Sequence, residues 1–139
     1  MTASRPERQR AWVRAKRLTP DGKAAIATAC GRFIAEVLKP QFLPEIQPMR
    51  FNYPVDIFGK WRGSNYSFIV RFRSGFPENA GEEFDSAFAR LDHVPEGSDT
   101  RFDVMWHRHT GQWWRVYSSV TLEEALRLIG TDGVLRPPI

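Results

Sequence analysis

The stretch from Arg50 to Arg73 constrains this chain more than any other. Between Arg50 and Arg62, Phe51, Tyr53, Val55, Ile57 and Trp61 fall on one face of a period-two pattern. Arg50, Asn52, Asp56, Lys60 and Arg62 fall on the other, with Phe58 as the exception. Alternate residues of a strand point to opposite sides, so this pattern predicts a half-buried strand. Pro54 lacks a backbone donor, which places the strand at a sheet edge or breaks it there. Gly63-Ser64-Asn65 is a turn, and Tyr66, Phe68, Val70 and Phe72 supply the inward face of a second strand. Ser67, Ile69, Arg71 and Arg73 take its outward face. A lone hairpin cannot bury such a face, so the rest of the chain must cover it.

The flanking segments supply that cover. Thr19-Pro20-Asp21-Gly22 reads as a helix start. Ile26, Cys30, Phe33, Ile34 and Val37 then recur at helical spacing, and Cys30 is a small core residue on that stripe. Pro40 and Pro44 are expected to end the helix. After a loop over residues 74–81 comes a third strand, Phe84 to Val94, with poorer alternation. Pro95-Glu96-Gly97-Ser98-Asp99 turns into a fourth, with Phe102, Val104 and Trp106 inward. A tight turn near Thr110-Gly111-Gln112 leads to a fifth, Trp113 to Ser118. A two-residue loop places Trp106 opposite Arg115. A three-residue loop places it opposite Val116, with Trp114 and Val116 on its face, and is the favoured register. Thr121-Leu122-Glu123-Glu124 is a capping box opening a short helix. Leu122, Ala125, Leu126 and Ile129 form its apolar face, and Gly130 is expected to stop it. The fold class is α+β: an N-terminal helix, about five antiparallel strands built from hairpins, a short C-terminal helix, and helices on one sheet face.

Charge divides the chain unevenly. The net charge is +4, yet Arg5, Arg8, Arg10, Arg14, Lys16 and Arg17 stand against Glu7 alone in the first 17 residues. That segment is +5 and the remainder −1. Residues 1–18 therefore read as a basic arm, and 19–139 as a single α+β domain. Ser4-Arg5-Pro6-Glu7 fits a capping box, so a helix is expected within the arm. Trp12 and Leu18 join its apolar stripe. Arginines in an arm suit phosphates, and equally suit plain solvation. One cysteine allows no internal disulfide, which points to a reducing cytoplasm. No apolar run approaches the ~20 residues of a membrane span, and no apolar segment follows the basic start. No membrane association is expected.

Several of these segments together resemble a family of small bacterial proteins, the domain-of-unknown-function family numbered 3024. The similar residues are Gly31-Arg32-Phe33-Ile34, the proline-flanked segment from Lys39 to Pro48, the hairpin from Phe51 to Arg73, the run from Trp106 to Tyr117, and Thr121 to Leu126. The likeness covers most of the chain after about Gly22. The loop at 95–100 and the basic arm depart from it. The resemblance implies no established activity and no catalytic residue.

Few residues can be assembled into reactive sets. His107 and His109 have the i, i+2 spacing that puts two imidazoles on one side of a strand. A metal site needs a third ligand. Asp103 lies about 13 Å from His107 along such a strand, and His93, pairing near residue 102, about 17 Å away. His107 and His109 are thus weak metal candidates and no metal is expected. There is no nucleophile elbow and no phosphate-binding glycine loop. Ser118 and Ser119 read as turn residues. Asp92 and His93 point to opposite faces. Glu82, Glu83 and Asp85 read as a solvated strand entry. No cofactor and no catalytic residue are expected.

The outward sheet face is richer. In the favoured register it carries Ile69, Arg71, Arg73, Met105, His107, Trp113, Arg115 and Tyr117. Arginine mixed with aromatics suits a protein interface, or stacking on nucleic-acid bases. The leading expectation is a non-enzymatic interaction module that binds a protein partner, or a second copy, through Arg71, Arg73, Met105, Trp113, Arg115 and Tyr117. Nucleic-acid binding through Arg5, Arg8, Arg10, Arg14, Lys16 and Arg17 is the alternative. An enzyme with a site unrecognisable in sequence is the third reading.

Overall fold

The computed structural model describes residues 17–139, so the helix expected in the arm lies outside the described residues. The first helix, α1 (Pro20–Phe33), begins as its sequence dictates. The Thr19 hydroxyl accepts from the Gly22 N–H at 2.9 Å, and Pro20 fills a position whose donor has no helical partner.

Pro40 does not end the helix. The chain continues through a π-helical turn (Ile34–Leu38) into α2 (Lys39–Phe42). In that turn the Lys39 N–H donates to the Ile34 carbonyl, five residues back. The turn is widened just before Pro40, where the ring would otherwise meet the carbonyl four residues earlier. The widening also brings Leu38, rather than Val37, into the core: Leu38 is fully buried and Val37 is 36% exposed. The helix stops at Leu43, whose extended backbone suits the residue before Pro44.

Five strands follow: β1 (Tyr53–Arg62), β2 (Asn65–Arg73), β3 (Glu83–Val94), β4 (Arg101–His107) and β5 (Trp113–Val120). All neighbours are antiparallel and their order in the sheet is their order in the chain. The last helix, α3 (Leu122–Thr131), is capped by Thr121, whose hydroxyl accepts from the Glu124 N–H. Gly130 lies inside α3, not beyond it. A methyl group there would sit 3.2 Å from the Phe33 ring, so this glycine allows α1 and α3 to approach.

Bulges explain where simple alternation fails. Val55 is an extra residue between Pro54, opposite Phe72, and Asp56, opposite Arg71. It moves Tyr53 to the side of Arg73, while Phe51 lies outside the strand and is half exposed. Phe88 is extra between Ala87, opposite Ile69, and Ala89, opposite Phe68. Both Phe88 and Ala89 therefore join the core, and this is the poor alternation of the third strand. On β5 the turn spans residues 108–112 and Trp106 faces Trp114, so neither register weighed from sequence is adopted. Val116 is then extra, because Met105 faces Arg115 and Val104 faces Tyr117. A second irregularity follows at Ser118 and Ser119, where Ser119 takes φ 53°. The Ser119 N–H donates to Asp103 Oδ1 and its carbonyl accepts from Arg101, which hold that kink.

The core lies on one sheet face. Ile57, Phe68, Val70, Leu91, Phe102 and Val104 point to it, against Ile26, Cys30, Ile34 and Leu38 from the first helical segments and Ala125, Leu128 and Ile129 from α3. Cys30 is fully buried, and burial pushes its thiol up to about 12. That is a core residue and not a nucleophile. The tail is held by Leu135 and Pro137, both buried.

Candidate functional site: the open sheet face

Among the described residues no helix covers the other face, yet its centre is not wet. Ser67 and Ile69, on β2, are only 6% and 4% exposed. They are shielded by longer side chains of the same face. The Arg71 guanidinium lies 4.7 Å from the Phe58 ring centroid, and Arg90 lies 4.5 Å from that of Trp113. Arginine and aromatic stems act here as a second layer.

Most of the arginines are also tied to carboxylates. Arg71 and Asp85 are direct cross-strand partners, 2.9 Å apart, as are Arg73 and Glu83 at 2.8 Å. Hydrogen bonding to Asp85 and Glu83 holds both guanidinium groups above their ordinary value. Glu83 and Asp85 are therefore ion-pair partners and not a merely solvated strand entry. Arg90 pairs with Asp92 on its own strand at 2.6 Å. Arg115 reaches Asp103 at 3.7 Å and is the most loosely held.

One part of the face differs. Lys60 and Arg62, at the hairpin end of β1, have no carboxylate within 4 Å among the described residues. They border an open depression of about 310 Å³. Asn65, Ser67, Ile69 and Ala87 line its floor, and Asp85, already paired with Arg71, and Arg90, His107 and Trp113 line it too. The His107 and Trp113 rings are 4.7 Å apart.

The residues singled out from sequence are dispersed. Arg71, Arg73, Met105, Trp113 and Arg115 do share the open face. Tyr117 does not. The bulge at Val116 turns it to the helix side opposite Val104, where its hydroxyl donates to Asp132 Oδ2 at 2.6 Å. That bond lowers the Asp132 carboxyl below its ordinary range and raises the Tyr117 phenol. β4 ends at His107, and His109 sits in the following turn, exposed, so the strand geometry assumed for the two histidines does not hold. His93 pairs with Phe102, as the hairpin reading required, at the far end of β4. Among the described residues no three His, Cys, Asp or Glu side chains group as metal ligands would. Arg5, Arg8, Arg10, Arg14 and Lys16 lie outside the described residues. Arg17 borders a separate depression with Lys23 and His93. Lys60 and Arg62 were visible in sequence as the polar side of the first strand. What marks them is the missing partner, and only the cross-strand register reveals that.

Fold and face together define a helix-backed, five-stranded antiparallel domain with one open, arginine-rich side. The chain belongs to the family described as Domain of unknown function (DUF3024), whose profile matches residues 9–136. The match starts earlier than the segments quoted from sequence and takes in the second half of the basic arm. No curated protein and no solved structure matches the chain. Among the described residues no helix is long and apolar enough to cross a membrane.

Proposed function

We propose that this protein is a non-enzymatic binding module that holds an acidic segment of a protein partner on its open sheet face, at Lys60 and Arg62. The observation that carries this reading is a pair of cations with no carboxylate within 4 Å among the described residues, beside a depression floored by Asn65, Ser67, Ile69 and Ala87. An incoming carboxylate would meet charge there that no carboxylate among the described residues compensates.

Two further features favour a protein partner held on the face. Both sheet edges are poor templates for strand addition: β1 carries Pro54 and the Val55 bulge, and β5 is bulged at Val116 and kinked at Ser119. The Trp113 ring is engaged by Arg90 and His107, so it offers little free surface to a base.

Fluorescence anisotropy with a labelled oligoglutamate peptide and a labelled single-stranded DNA tests this. The full chain is compared with Lys60→Glu/Arg62→Glu, and with a variant whose Arg5, Arg8, Arg10, Arg14, Lys16 and Arg17 are all Gln. Peptide binding lost in the first variant and kept in the second supports the face. DNA binding that disappears with the arm charges, without peptide binding, replaces this reading by the nucleic-acid one.

A further inference from the structure

A second group of cations lies off the open face, around the β4–β5 turn. Arg108 opens this turn, and its backbone is fixed at both ends. Its N–H donates to the Gln112 carbonyl at 2.9 Å, and its carbonyl accepts from the Gly111 N–H at 2.9 Å. Its guanidinium is fixed as well, 4.7 Å from the Trp114 ring centroid and 5.5 Å from that of Trp106. These tryptophans are direct cross-strand partners. Stacking occupies the flat face of a guanidinium and leaves the N–H groups along its edge to bond an acceptor.

Among the described residues nothing supplies that acceptor. Arg108 Nε is buried and has no hydrogen-bond partner. Leaving a buried charged donor unmatched is costly, and such groups in folded proteins usually have a reason. Beside Arg108 is a cleft of about 420 Å³, lined also by His107, His109 and, from the C-terminal tail, Arg136. No carboxylate lines it, and neither arginine has an acidic partner within 4 Å among the described residues. A water molecule would satisfy one N–H but would leave the charge of two arginines uncompensated.

We propose that this cleft is a binding site for a phosphate group, with the preset fork of Arg108 as its principal contact, Arg136 as a second charge, and His107 and His109 as further donors. A dianionic tetrahedral oxyanion matches two guanidinium groups in charge and matches the fork in geometry. Free phosphate and a small phosphomonoester share this chemistry. The site does not depend on the reading of the open face, since it uses neither Lys60 nor Arg62.

The test is calorimetric titration of the full chain with inorganic phosphate and with phenyl phosphate, at constant ionic strength. Intrinsic tryptophan fluorescence is followed in parallel, because Trp106 and Trp114 flank Arg108. Saturable binding with a fluorescence change is expected, weakened at least tenfold by Arg108→Lys, which keeps the charge but loses the fork. Arg136→Gln, at an exposed position, should weaken it in the same direction, while Lys60→Gln leaves it unchanged. Tighter binding of phenyl phosphate identifies an ester, and binding of inorganic phosphate alone identifies the free ion; either supports the site. If Arg108→Lys loses its folded near-ultraviolet signature, Arg136→Gln alone decides. The proposal is overturned if neither anion saturates. It is also overturned if binding is unaltered in Arg136→Gln, or vanishes when the six arm cations become Gln.

Discussion

The two faces of the sheet bury their centres by different means. On the helix side, Phe68, Val70, Phe102 and Val104 are fully covered by the apolar stripes of α1 and α3. On the open side, Ser67 and Ile69 are nearly as well hidden, but beneath arginines and rings of their own strands. Where no helix of the described residues lies over it, the sheet forms a second layer from its long side chains, and cations used in that way are already paired. Of Lys60, Arg62, Arg71, Arg73, Arg90, Arg101 and Arg115 on this face, only Lys60 and Arg62 have no carboxylate within 4 Å among the described residues. A count of arginines on a face therefore overstates what the face offers to a partner.

The comparison breaks most readily at its buried side. Phe68→Ala should cost about 3–5 kcal/mol in denaturant unfolding, because the helices above cannot collapse into the space. Ile69→Ala, its neighbour on the opposite face, should cost roughly 2 kcal/mol, since flexible arginine stems can settle into the gap. Equal losses would mean that the open face is packed as rigidly as the core. Next in size is a chemical effect without change of fold. Cys30, with its thiol pushed up to about 12 by burial, should resist a thiol reagent at neutral pH and react at once in denaturant. Rapid labelling of the native protein would show that the helix layer opens.

Charge effects on the open side should be smaller. Arg71→Gln breaks a solvent-exposed pair and should leave the melting temperature almost unmoved. A clear drop would show that the ion-pair layer is a stabilising element in its own right. The smallest effect concerns a single proton. The Tyr117 hydroxyl holds the Asp132 carboxyl below its ordinary range. A carboxyl lowered on folding contributes stability that is complete above its unfolded value and is lost as pH falls through its lower folded value. Tyr117→Phe should move the Asp132 carboxyl up toward the usual carboxylate range in an NMR titration. No movement would mean that the bond, and the helix-side placement of Tyr117, do not persist in solution.

Much of the fold was legible in the sequence because it depends on local chemistry. Thr19-Pro20 and Thr121 cap their helices as read, and the period of residues 66–72 sets the faces of β2 correctly. Failures occurred wherever one residue was added to a regular ladder. Val55, Phe88 and Val116 each shift a register, and no local pattern distinguishes a bulge from an irregular strand. Val116 alone carried Tyr117 to the other side of the sheet. The π turn had the same effect on α1, exchanging Val37 for Leu38. The open face was foreseen as rich in arginine and aromatics. Its pairing was not, because Arg71 meets Asp85, and Arg73 meets Glu83, only through a cross-strand register that the Phe88 bulge determines.

The most direct measurement is NMR chemical-shift mapping of the full chain during titration with an oligoglutamate peptide at near-physiological salt. Shifts are expected to concentrate at Lys60, Arg62, Asn65 and Ser67, with Arg71 and Arg73 largely unmoved. Shifts confined to residues 1–18, or centred on Arg71 and Arg73, would contradict the claim that the uncompensated cations form the binding surface.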